Sequence, residues 1–83
     1  MRLEKLKELL TNSASNVVVE SEEVCEPLHD AILDDGCLRV RYKQGGGIYG
    51  TQIDEEGARG ARKRGKRLFV TDCDGEMYTF IFS

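Results

Sequence analysis

The chain has 83 residues and a mass of 9.3 kDa, with 40% of residues hydrophobic, 33% charged and a net charge of −3. That length holds one small hydrophobic core, which excludes a two-domain enzyme, a dinucleotide-binding unit with a substrate domain, and a barrel; residues 1–83 are read as a single domain. No apolar run approaches the roughly 18 residues of a membrane span, and three irregularly spaced cysteines do not make a secreted disulfide framework.

The opening segment, Met1-Arg2-Leu3-Glu4-Lys5-Leu6-Lys7, mixes charge with leucine and is not expected to be a secretion signal. A cytoplasmic protein without membrane contact is the expectation. Leu3, Leu6, Leu9 and Leu10 recur three to four residues apart, which predicts an amphipathic helix over residues 2–10. Thr11-Asn12-Ser13 should end it, because those side chains compete for backbone hydrogen bonds. The β-branched Val17-Val18-Val19 predicts a strand over residues 16–21. Glu26–Gly36 reads as a short helix, with Pro27 in the first turn and Gly36 as a left-handed stop, although Asp34 and Asp35 oppose its dipole.

Leu38, Val40 and Tyr42 alternate with Arg39, Arg41 and Lys43, the pattern of a strand with one buried face and one basic, solvated face. Gln44-Gly45-Gly46-Gly47 is a turn, and Ile48–Ile53 a second strand weakened by Gly50. Asp54–Lys66 stays open between two forms. Asp54 can cap a helix with Glu55 and Glu56 at its positive end, but Gly57 and Gly60 each cost a helix interior about 1 kcal/mol, which favours an irregular basic loop. Asp74-Gly75 is a two-residue hairpin signal that pairs Leu68–Cys73 with Glu76–Phe82 and sets Phe69 opposite Phe80. Both faces of that hairpin carry apolar residues, which suits the centre of a sheet.

Together these elements predict an α+β fold: a mainly antiparallel sheet of about four or five strands, the N-terminal helix packed on one face, and a C-terminal β-hairpin. Val17–Glu20 and Phe80–Phe82 are the segments considered for dimerisation through an exposed edge, and the oligomeric state is left open.

The charge is unevenly distributed. Residues 1–36 carry three bases against nine acids, and residues 37–83 carry nine bases against six acids. Six of those nine bases fall in Arg59–Arg67: Arg59, Arg62, Lys63, Arg64, Lys66 and Arg67. Such a density can neutralise several phosphates or meet an acidic protein surface. In a helix Arg59, Arg62, Lys63 and Lys66 would share one face, and Arg39, Arg41 and Lys43 would extend the track if their strand faced the same way. Tyr42 and Tyr49 are the aromatics considered for base stacking. The acidic stretch Glu20–Asp35, with seven carboxylates, is read as a solvated face or as a partner for this chain's own basic run.

Other motifs are weaker. Gly45–Gly50 satisfies G-x-G-x-x-G, but no helix opens after it to present its N-terminus to a pyrophosphate. Asp72–Glu76 resembles a calcium loop only superficially: the register leaves Val70 and Ile81 where carboxylates are required. Cys25, His29, Cys37 and Cys73 lack the tight spacing of a structural zinc site. His29 is the only imidazole, and Pro27 argues against the helix that would bring Cys25 to it. No enzyme activity, metal or cofactor is therefore expected. The expected function is a small non-enzymatic regulatory or inhibitory protein, of the size of phage-encoded inhibitors, that docks on a nucleic-acid-handling protein or nucleoprotein through the basic segment. The alternative is direct RNA or DNA binding through Arg59–Arg67.

Overall fold

The leucine stripe forms the first element of the fold. In the computed structural model, which describes residues 1–12 and 16–83, helix α1 spans Leu3–Asn12 and buries Leu3, Leu6 and Leu10. Thr11, expected to end the helix, lies in its last turn and donates its hydroxyl proton back to the Lys7 carbonyl. Ser13 lies outside the described residues.

Strands β1 (Val17–Glu20), β2 (Cys25–Asp34), β3 (Cys37–Gln44) and β4 (Gly47–Ile53) follow, then helix α2 (Glu55–Arg59) and strands β5 (Arg62–Arg64), β6 (Arg67–Thr71) and β7 (Met77–Phe82). They form one antiparallel sheet of seven strands in the order β4-β3-β2-β1-β7-β6-β5, larger than the four or five strands expected. The two additional strands are β2 and β5.

Strand β2 replaces the short helix expected at Glu26–Gly36. A bulge at His29 shifts the register between Leu28 and Asp30, so the buried Leu28 and Ala31 stand three residues apart. That spacing imitates a helical face. Pro27 is tolerated because the pairing of β2 with β3 begins only at Leu28, where no N–H is missed. Asp35 and Gly36 both have positive φ, 53° and 79°, and form the tight turn of the β2–β3 hairpin rather than a helix stop.

The C-terminal hairpin forms with a different register. Its loop has three residues, Cys73-Asp74-Gly75, with Gly75 at φ 87°, and the Gly75 N–H donates to the Asp72 carbonyl. Leu68 therefore pairs with Phe80 and Phe69 with Thr79, so the expected Phe69–Phe80 pair does not exist. The Asp72 carboxylate stabilises the longer loop by accepting the N–H groups of Asp74 and Glu76 at 3.0 and 2.8 Å.

The sheet curls strongly. Five strand spacings separate β4 from β6, about 24 Å in a flat sheet. Yet the Cys73 N–H, just past β6, donates to the Gln52 carbonyl on β4 at 2.9 Å. The Thr51 hydroxyl also donates to the buried Asp72 carboxylate at 2.5 Å across this seam. Helix α1 lies in the concavity, where Leu3, Leu6 and Leu10 join Val19, Leu38, Val40, Ile53, Leu68, Val70 and Phe80 in one core. Closure is partial, so β4 and β5 remain the sheet's two edges. Strands β1 and β7, considered as edges from the sequence, are interior.

Helix α2 accounts for the awkward Gly57. Asp54 caps the helix, accepting the Gly57 N–H at 2.8 Å. A Cβ on Gly57 would lie 2.3 Å from the Thr71 carbonyl, so glycine is what lets α2 rest against the end of β6.

Candidate functional site

The basic segment takes neither of its two expected forms throughout. Arg59 ends α2, and after Gly60 and Ala61 the chain enters a β-hairpin made of β5 and β6. Gly65 and Lys66 form its two-residue turn, Gly65 taking φ 58°. The turn is anchored by the Phe82 N–H of β7, which donates to the Lys66 carbonyl at 2.7 Å.

Register assigns the side chains to faces. Arg62 pairs with Phe69, Lys63 with Leu68 and Arg64 with Arg67. Leu68 points into the core, and Lys63, on the same face, sets its ammonium 5.6 Å from the Phe82 ring centroid. The other face therefore carries Arg62, Arg64 and Arg67 with Phe69, and Ile81 of β7 lies beside Arg67. Arg64 and Arg67 stand directly opposite each other, a like-charge pair that disfavours the hairpin when nothing compensates it. All six bases from Arg59 to Arg67 are exposed. Among the described residues, none of them has a carboxylate within ion-pair distance.

The second predicted track is different. Arg39, Arg41 and Lys43 do share the outer face of β3, but Arg41 donates two hydrogen bonds to Asp30, at 2.7 and 2.5 Å, and Arg39 lies 3.3 Å from Asp34. Hydrogen bonding to Arg41 outweighs the opposing desolvation and holds the Asp30 carboxyl below its ordinary range; the same pairing raises Arg41. Two carboxylates of the acidic stretch are thus committed to β3 and not to the Arg59–Arg67 run. In the sheet the two basic groups are not neighbours: strands β2, β1, β7 and β6 lie between β3 and β5.

The remaining motifs serve local structure. Gly45 and Gly46, at φ 58° and 84°, turn the β3–β4 hairpin, and β4 rather than a helix follows them. Cys25 and Cys37 lie at opposite ends of the β2–β3 hairpin's first strand and turn, and Cys73 sits in the β6–β7 loop. No group of three potential metal ligands comes together among the described residues. His29 Nε2 lies 3.9 Å from the Asp30 carboxylate that Arg41 already holds. Desolvation and the carboxylates of Asp74, Asp72 and Asp54 raise the Cys73 thiol, which leaves it a poor nucleophile.

Of the two tyrosines considered for stacking, Tyr42 is buried and Tyr49 is exposed on the far edge strand β4. Phe69, opposite Arg62, is the aromatic that accompanies the basic hairpin. Recognising Gly65-Lys66 as a hairpin turn would have found it. Tyr78, buried at the seam, has its hydroxyl pushed up to about 12 by burial first, then by Tyr42 and Glu76.

No protein-family model, curated protein or solved structure matches the chain.

Proposed function

We propose that this chain is a small, non-enzymatic binding protein of regulatory or inhibitory type. Its β5–β6 hairpin docks on an acidic surface of a protein or nucleoprotein that handles nucleic acid. The observation that carries the reading is that, among the described residues, six exposed bases stand without a carboxylate partner, while Arg39 and Arg41 of the same sheet are paired. An arrangement that sets Arg64 opposite Arg67 is relieved when an external anion binds between them.

Direct nucleic-acid binding is the second reading, favoured by Phe69 lying among Arg62, Arg64 and Arg67 on one face, where a base can stack between cations. The two readings separate by salt dependence. If all six bases neutralise phosphates of a single strand, log K against log [salt] has a slope of about −4. Fluorescence anisotropy with a mixed-sequence single-stranded oligonucleotide, at about 50 and 200 mM salt, measures it. Absence of binding at the lower salt eliminates the second reading and leaves protein docking. Reversing Arg62, Arg64 and Arg67 to Glu tests both, since each requires that binding be lost while the fold persists.

A further inference from the structure

The sheet's two edges are built differently. Strand β5 is three residues long and wholly basic, the usual protection against unwanted pairing. Strand β4 is seven residues long, Gly-Ile-Tyr-Gly-Thr-Gln-Ile, without charge or proline, and exposes Ile48 at 51% and Tyr49 at 56%.

The register identifies which backbone groups of β4 are free. Gln44 and Gly47 flank a two-residue turn and so form a hydrogen-bonded pair. Alternation then makes Tyr42–Tyr49 and Val40–Thr51 hydrogen-bonded too, and turns the N–H and C=O of Ile48, Gly50 and Gln52 away from β3. The bond from Cys73 N–H to the Gln52 carbonyl agrees with that direction and occupies the last of these positions. Ile48 and Gly50 are left as two consecutive outward-facing sites.

We propose that a second copy of this chain pairs with β4 across a two-fold axis at Tyr49. Antiparallel pairing about that axis sets Ile48 opposite Gly50 of the other copy, twice, and makes four backbone hydrogen bonds without involving Gln52. Gly50 lacks a side chain, because one there would meet the Val40 carbonyl at 2.6 Å and the Arg41 side chain at 3.1 Å, so it adds no bulk of its own to the edge. Beside it lies a cleft of about 300 Å³ lined by Arg39 and Arg41 of β3 and by Ile48 to Gln52 of β4. The exposed Ile48 of the second copy falls opposite Gly50, over this cleft, and the two Tyr49 rings meet on the other face. An uncharged strand pairs with itself without opposing like charges, whereas an acidic or basic segment would find no counter-charge on β4 itself. The surface lies on the opposite edge from the basic hairpin and stands whether or not that hairpin binds anything.

Sedimentation velocity of the full chain over a concentration series tests the pairing. A reversible dimer of twice the 9.3 kDa mass is expected. Tyr49→Lys sets two ammonium groups opposite each other and should raise the dimer dissociation constant by about 30-fold or more. Tyr49→Phe should leave the dimer intact, and Met77→Lys, at an exposed position on another strand, should do the same. With Cys25, Cys37 and Cys73 replaced by Ser, Tyr49→Cys should form an intermolecular disulfide under mild oxidation and Gln52→Cys should not. A chain that stays monomeric at millimolar concentration, or a dimer indifferent to Tyr49→Lys, overturns the proposal. Crosslinking at Gln52 in preference to Tyr49 overturns it equally.

Discussion

Replacing Gly57 with Ala distinguishes local propensity from tertiary packing, because the two predict opposite signs. In a helix interior the change is worth about 1 kcal/mol in favour of Ala. In the folded chain the added Cβ lies 2.3 Å from the Thr71 carbonyl oxygen, and at least 3.0 Å is needed, so α2 or the end of β6 must move by 0.7 Å or more. The obstructing atom is backbone at the seam, beside the Asp72 loop and its bonds to Thr51 and Gln52, and cannot swing aside as a side chain would. Overpacking of this kind costs about 2–3 kcal/mol, leaving a net loss of about 1–2 kcal/mol. At roughly 4–8 °C per kcal/mol for a domain this small, Tm should fall by about 5–15 °C. Circular-dichroism melts and urea midpoints of Gly57→Ala beside Gly60→Ala provide the assay. A Cβ at Gly60 comes no closer than 3.7 Å to the nearest atom, so that variant should be neutral or slightly stabilising. A Gly57→Ala chain as stable as wild type, or more so, refutes the packing of α2 on β6.

Asp30 gives a prediction at acid pH. Its folded-state carboxyl lies below the ordinary 3.8, so its contribution to stability is complete above that value and is lost as pH falls through the lower folded value. Asp30→Asn should lower Tm at neutral pH by a few degrees and flatten the loss of stability as pH falls below about 4, read from melts through that range. Tyr78 gives one at alkaline pH: with its hydroxyl near 12, the unfolded chain releases this proton first, so stability should decline from about pH 10 to 12. Absorbance titration should resolve a tyrosine phase near 12 that is missing in Tyr78→Phe. Reversal of Arg62, Arg64 and Arg67 to Glu should leave Tm nearly unchanged in thermal melts, because exposed charges contribute little to stability.

Where residue pattern and environment agree, the fold was legible. The leucines of α1, the alternation of β3 and the existence of the C-terminal hairpin follow from the chain alone, whereas the Asp54-capped helix α2 is only one of two forms that the chain leaves open. Strand β2 was hidden because the His29 bulge converts a two-residue period into the three-residue spacing of Leu28 and Ala31. Strand β5 was hidden because Arg-Lys-Arg has no apolar alternation, and its pairing depends on Gly65 and on β6. The hairpin register slipped by one because Asp72, whose carboxylate satisfies two loop N–H groups, favours a three-residue loop. With β2 read as a helix, Asp30 and Asp34 could not be recognised as partners of Arg41 and Arg39, and those bases looked as free as the ones on the hairpin. The composition of Arg59–Arg67 was plain in the sequence. Its division into an arginine face beside Phe69 and a lysine over Phe82 was not, since both follow from register.

The claim that the basic hairpin is the docking surface is tested most directly by affinity capture from native host lysate. Tagged wild type is compared with the Arg62→Glu, Arg64→Glu, Arg67→Glu variant, each with and without nuclease, with quantitative mass spectrometry as the readout. The account predicts a defined nucleic-acid-handling protein retained by wild type, resistant to nuclease and absent from the variant. Equal recovery of that protein by wild type and variant would contradict it.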